Sequence, residues 1–282
     1  MHALPFVISL LSAVAIAPLM LRTLKGGGHT RPNYRGRALP FPFGALALAA
    51  ALFALVPLAL LQGPSGGDVF HPETFPICVY ALGALALGLL DDTLGDDQRS
   101  GAAPAPRGWR GHGAAALRGQ LSTGIVKAVG SLGLALLAMS WLGLPGGRWI
   151  LAAAVLVLAT NVFNLLDLRP GRSAKAFVLL GAGLAIGSAQ LRPLWALGLF
   201  VAPALVAGAY DLRERAMLGD TGSSLLGALA GLWLVLTLSF TGQLVALALL
   251  VSITLYGELC SISALIERTP LLRQLDSLGR PS

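Results

Sequence analysis

The sequence predicts an all-α fold, a polytopic bundle of about nine membrane-spanning helices with the amino terminus outside and the carboxyl terminus in the cytoplasm. Three observations predict it. Of the 282 residues, 55% are hydrophobic and only 12% are charged, about half the charge of a soluble domain, and the mean hydropathy is +0.75. Nine stretches approach the ~20 apolar residues that a crossing requires. Finally, 18 of the 20 Lys and Arg residues fall in alternate connections between those stretches. Together these exclude a soluble enzyme, a disordered chain and a nucleic-acid-binding module. About two thirds of the chain is used up in crossings, which leaves a single membrane domain over residues 1–282.

In order, the predicted spans are Leu4–Leu21, Phe43–Leu61, Phe75–Leu90, Leu121–Leu142, Trp149–Leu166, Ala176–Leu191, Leu194–Tyr210, Ser223–Phe240 and Leu244–Ile262. No Lys or Arg precedes the first run, so it reads as a helix and not as a cleaved signal. Five cations follow it (Arg22, Lys25, Arg31, Arg35, Arg37) and five lie around the third connection (Arg99, Arg107, Arg110, Arg118, Lys127). Three more follow the fifth span (Arg169, Arg172, Lys175), two the seventh (Arg213, Arg215), and three lie in the tail (Arg268, Arg273, Arg280). The opposite face keeps Arg148 and Arg192. Basic residues stay cytoplasmic, so this segregation fixes the orientation and supports the helix count. The stretch Ser100–Gly119, rich in Pro and Gly, reads as a loop. Cys78 and Cys260 fall inside apolar runs and read as small buried residues.

Three motifs bring carboxylates to the cytoplasmic ends of different helices. The first is Asp91-Asp92-Thr93-Leu94-Gly95-Asp96-Asp97, four carboxylates in seven residues directly after an apolar run. Such a cluster is either a solvated loop or the seat of a cation that offsets it. The second is Asn161-Val162-Phe163-Asn164-Leu165-Leu166-Asp167. Positions i, i+3 and i+6 fall roughly on one side of a helix, so two amides and a carboxylate face either a watery cavity or a neighbouring helix. Arg169, Arg172 and Lys175 follow and could meet an anion.

The third is Met217-Leu218-Gly219-Asp220-Thr221-Gly222-Ser223-Ser224. Gly allows close backbone approach, and Thr221, Ser223 and the N–H groups of a helix start suit phosphate oxygens. Thr221 or Ser223 also suits the cap of that helix. Asp220 among them suits a hard cation such as Mg²⁺. Lys127, inside the fourth span, either snorkels or pairs with an acid. These residues sum to a cytoplasmic-face site for phosphates and a divalent metal.

The order of these motifs resembles the polyprenyl-phosphate N-acetylhexosamine-1-phosphate transferases (glycosyltransferase family 4), from about Arg35 to Ile262. The resemblance implies transfer of a sugar-1-phosphate from a nucleotide sugar, a UDP-sugar, to a polyprenyl phosphate lipid in a bacterial plasma membrane, with release of UMP. It implies Mg²⁺ or Mn²⁺ as cofactor, catalytic roles for Asp91, Asp92, Asp167 and Lys127, and Asp220 with Asn164 at the metal. It implies substrate contacts from Arg37, Asn161, Asn164, Thr221 and Ser223, and it is compatible with a homodimer.

Four features depart from the family pattern. Leu168-Arg169-Pro170-Gly171 replaces a stretch with a second Asp, and Met217 stands where an aromatic is common. Pro40-Phe41-Pro42-Phe43-Gly44 replaces Pro-Thr-x-Gly-Gly, and the tail has no His. The acidic floor is retained and the sugar-reading rim is changed. Two rival readings remain: a polyprenyl-transferring bundle, which needs a second Asp-rich segment where this chain has one Asp, and a degenerate relative that binds lipid or scaffolds a partner.

Overall fold

The computed structural model describes residues 1–65, 69–95 and 123–281. Asp96, Asp97 and the predicted Ser100–Gly119 loop lie outside them. The described chain is all-α apart from one hairpin. Its helices are α1 (Leu4–Gly26), α2 (Ala45–Ser65), α3 (Thr74–Leu94), α4 (Thr123–Trp141), α5 (Arg148–Leu166), α6 (Arg172–Ser188), α7 (Arg192–Ala196), α8 (Gly198–Leu212), α9 (Gly219–Thr237), α10 (Phe240–Leu259), α11 (Ile262–Arg268) and α12 (Pro270–Ser277). Strands β1 (Thr30–Pro32) and β2 (Ala38–Pro40) pair antiparallel.

Seven of these helices (α1 to α5, α9 and α10) are long and apolar enough to cross a membrane, so the chain is a multi-pass membrane protein. The other two predicted spans fold as shorter helices. At 1.5 Å per residue, the 17 residues of α6 reach about 26 Å and the 15 of α8 about 22 Å, against a core of about 30 Å. Helix α6 stops where Ala189 turns left-handed, at φ 52°, and α8 is separated from the one-turn α7 only by Leu197. A second expectation changes as well: Cys78 is half-buried, but Cys260, just past the end of α10, is exposed.

Helix α9 is the axis of the bundle. All of it from Thr221 to Val235 is buried, and it packs on α5, α3, α6 and α8. A helix apolar all round belongs in such a position. The outer helices keep one face for lipid: Leu11, Phe53, Val129 and Leu249 are all exposed. Inside, Tyr80 of α3 and Thr160 of α5 share a hydroxyl–hydroxyl hydrogen bond of 3.1 Å beside α9.

The connections at one end are tied together by polar contacts. Asn33 turns the β hairpin by accepting the N–H groups of Arg35 and Arg37, both at 2.9 Å, on its Oδ1. Its Nδ2 donates to the buried Glu214 carboxylate at 3.1 Å. The segment after β2 then pairs with the α8–α9 loop: Met217 N–H donates to Pro40 O, and Phe43 and Gly44 donate to Met217 O and Leu218 O, at 2.8–2.9 Å.

The tail closes over α6. Asp276 of α12 takes a two-pronged bond from Arg172 (2.9 and 3.0 Å) and another from Arg280 (2.7 and 3.0 Å). Burial would raise the Asp276 carboxyl, but the two guanidiniums hold it down at about 2. Arg172 therefore meets an anion of the protein itself.

Candidate active site

Carboxylates from four helices converge at the end of the bundle where the hairpin docks. The sequence singles out three of those helices, α3, α5 and α9. The fourth is α8, whose penultimate residue Asp211 is buried. Asp211 accepts the N–H of Gly171 at 2.6 Å and that of Leu218 at 3.2 Å, so one carboxylate pins the starts of α6 and α9. The signal that could have found it is the one that marked Asp91 and Asp167, an acid at the end of an apolar run.

Asp91 and Asp92 are adjacent in sequence and differ in use. Asp92 is buried. Its Oδ1 accepts the N–H of Asp220 at 2.9 Å, and its Oδ2 accepts the N–H of Thr221 at 2.8 Å and the Thr221 hydroxyl at 2.6 Å. A helix leaves its first N–H groups without internal partners, and at α9 a carboxylate from α3 supplies them. The expected local cap is thus replaced by one from another helix: α9 has no side-chain cap of its own, and Thr221 turns its hydroxyl to Asp92.

Glycine makes this approach feasible. A Cβ on Gly88, one turn before Asp92, would overlap the Asp220 backbone. A Cβ on Gly219, where φ is 71°, would strike Asp92 and Phe41. Asp91 faces the other way, towards α4. There the Lys127 ammonium lies 3.3 Å from Asp91 Oδ2 and in direct contact with Asp220 Oδ2. Lys127 is therefore paired, the second of its two predicted uses.

A polar cavity of about 200 Å³ opens beside this cluster. Asp92, Asp167, Asp211 and Asp220 line it, with Arg31 and Arg169 as its guanidiniums and Tyr34, Phe41 and Met217 on its apolar side. Arg31 sits 4.1 Å above the Phe41 ring and donates to Asp92 O at 3.0 Å, while Arg169 sits 4.5 Å from the Tyr34 ring. Sequence reading used Arg31 only as a topological charge.

Burial and the neighbouring Asp211 and Asp220 push the Asp167 carboxyl well above the usual range, and the Ser173 hydroxyl at 3.4 Å only partly offsets this. Four carboxylates therefore share this end of the bundle with two guanidiniums and the Lys127 ammonium. Among the described residues no three acidic, His or Cys side chains come together so as to hold a metal ion by themselves. One or two carboxylates completed by substrate phosphates suit Mg²⁺, and Asp220, whose side chain is 37% exposed, is an accessible carboxylate for that.

The remaining candidates separate. Asn164 joins the cluster from below, its Oδ1 accepting the hydroxyls of Ser223 at 2.7 Å and Ser224 at 3.1 Å. Ser223 is itself buried. Asn161, one turn deeper, leaves the site and donates to Thr254 of α10 at 3.3 Å, an interhelical contact. Arg37 lies on the hairpin, mostly exposed, 3.9 Å from Glu214.

No protein-family profile matches the chain. The phospho-N-acetylmuramoyl-pentapeptide transferase of Synechococcus sp. (strain JA-3-3Ab) is 29% identical to it over 248 residues, covering 83% of this chain and 68% of that protein. The helices, the order of the acidic motifs and this similarity agree, and they support a distant relationship of the chain to the polyprenyl-phosphate N-acetylhexosamine-1-phosphate transferases.

Proposed function

We propose that the chain is a phosphoglycosyltransferase that moves N-acetylhexosamine-1-phosphate from a UDP-sugar to a polyprenyl phosphate at the cytoplasmic membrane face. The observation that carries this reading is Lys127, held between Asp91 and Asp220 at the edge of the acidic cavity. An oxygen of the lipid phosphate attacks the sugar-bearing phosphorus of the donor. The bond from that phosphorus to the bridging oxygen of the pyrophosphate breaks, and UMP leaves carrying that oxygen and the bond's electrons. Both reactants are anions, so the protein's task is positioning and charge neutralisation.

Asp91 takes the last proton of the lipid phosphate, and Lys127, released from one of its two carboxylates, meets the phosphate charge. Asp92 is a positioning residue: through Asp220 N–H and Thr221 it sets where the Asp220 carboxylate stands. Mg²⁺ on Asp220 and Asp167 would supply neutralisation of the donor's pyrophosphate. Asn164 binds the donor through its Nδ2, because its Oδ1 is held by Ser223 and Ser224. Arg31 and Arg169 meet donor phosphates on the cavity wall, and Arg37 guides anions from the rim.

The reading requires nine crossings with the acidic end in the cytoplasm. The support is geometric. Arg192, which begins α7, pairs with Glu73 at the start of α3, while Asp211, at the end of α8, lines the same cavity as Asp92 near the end of α3. Helices α7 and α8 thus run the length of a spanning helix between them. With Cys78 and Cys260 replaced, single cysteines at the exposed Gln190 and Arg213 should react with an impermeant thiol reagent from opposite sides. Labelling of both from one side would make α7–α8 a re-entrant pair and overturn the topology.

The donor is a simple UDP-N-acetylhexosamine in this reading. The tail has no His, and Arg280 is spent on Asp276 and on Pro170 O at 2.8 Å, so little remains there to hold a peptide. UMP release measured with undecaprenyl phosphate should be faster from UDP-N-acetylglucosamine than from UDP-N-acetylmuramoyl-pentapeptide. Faster release from the pentapeptide donor refutes the donor choice, and no release from either refutes the transferase reading.

A further inference from the structure

A second cavity, of about 460 Å³, lies between α6, α8 and the tail helices and shares no lining residue with the acidic one. Its wall is apolar, built from Val178, Leu179, Leu205, Leu212, Leu272 and Leu275, and its size is that of a small-ligand site. At one end it meets the tail clasp. There Arg172, Lys175 and Arg280 gather around one carboxylate, Asp276. Lys175 donates to main-chain oxygens, of Leu275 at 3.0 Å, Asp276 at 2.5 Å and Leu278 at 3.2 Å, so the clasp keeps an excess of positive charge.

Two features place this mouth at the boundary between hydrocarbon and headgroups. Val178 and Leu179, on the outer face of α6, are more than half exposed. Helix α12 is amphipathic, with Leu271 and Leu275 exposed on one side and Arg273 and Asp276 on the other, the pattern of a helix lying in the interface. An apolar slot under a cationic rim at that depth complements an anionic lipid.

We propose that this cavity holds one acyl chain of an anionic glycerophospholipid, with the phosphate facing the cationic clasp at Lys175, and that the lipid fastens the tail clasp. The polyprenyl acceptor is a poorer occupant, since none of Asp91, Lys127 or Asp220 lines this cavity. The proposal is independent of the transferase reading.

The test uses delipidated full-length protein in detergent, titrated with phosphatidylglycerol or phosphatidylcholine and read by native mass spectrometry and thermal unfolding. With about a fivefold gain per neutralising cation, phosphatidylglycerol should bind at least about tenfold more tightly and raise the unfolding midpoint more. Ala209→Trp, which puts an indole in the slot, should abolish the one-lipid adduct. Lys175→Gln should reduce the preference about fivefold without weakening phosphatidylcholine, so the proposal is tested even if the tryptophan variant fails to fold. Equal binding of the two lipids overturns it, as does an adduct that survives Ala209→Trp. A polyprenyl phosphate adduct that Ala209→Trp removes, or a protein dimer in place of a lipid adduct, also overturns it.

Discussion

Asp220→Asn is expected to reduce UMP release by about a thousandfold or more, the scale of losing a principal charge stabiliser in the transition state, while leaving the protein folded. The structural contribution of this residue comes from its main chain, whose N–H donates to Asp92 at 2.9 Å, and asparagine retains that group. Its carboxylate contacts the cavity and Lys127, and Lys127 keeps Asp91 when the charge is removed. The variant should therefore melt close to wild type and bind Mg²⁺ weakly. Turnover and unfolding, followed together over a range of Mg²⁺ concentrations, check both halves. Near-normal turnover at low Mg²⁺ would move the metal away from Asp220 and leave the proposed division of roles without its centre.

Much of the bundle was legible because its signals are local. Apolar runs and alternating cation-rich connections follow from the cost of burying charge in hydrocarbon, and seven of the nine stretches fold at spanning length. The sixth and seventh do not, because the breaks at Ala189 and Leu197 are backbone events that hydropathy does not register. The site was legible as three motifs and not as an arrangement.

Asn161 and Asn164 share a helical side, but one more turn of depth brings Asn161 to Thr254 on α10 and away from the cavity. Asp211 carries no motif and matters only because Gly171 and Leu218 come to it from elsewhere in the chain. Nor does the apolar run show which member of the Asp91-Asp92 pair packs, since both follow it. Successive helical residues point about 100° apart, and the clue is Gly88. Four residues before Asp92, it lies on the same face, and a small residue there marks the face that packs closely on α9.

The two aspartates are accordingly expected to fail in different ways when each is replaced by alanine. Asp92→Ala removes the acceptor of three hydrogen bonds and strands the N–H groups of Asp220 and Thr221 at a buried helix start. Bonds to an ionised group contribute about 1.5–3 kcal/mol each and are not additive, so a loss of about 3 kcal/mol or more in stability is expected. Activity should fall with it, because the Asp220 carboxylate loses its anchor. Asp91→Ala removes one of two partners of Lys127 at a partly open rim, so the unfolding midpoint should move little. Turnover should still drop by about 10²–10⁴, the range for removing a positioned acid–base group. A general base also leaves a mark that a structural role does not: the acid limb of the pH–rate profile should disappear in any residual Asp91→Ala activity and persist in Asp92→Asn. If Asp91→Ala unfolds readily while Asp92→Ala melts like wild type and is inactive, the roles belong the other way round. The interhelical cap would then be an incidental contact, and the proton would leave through Asp92.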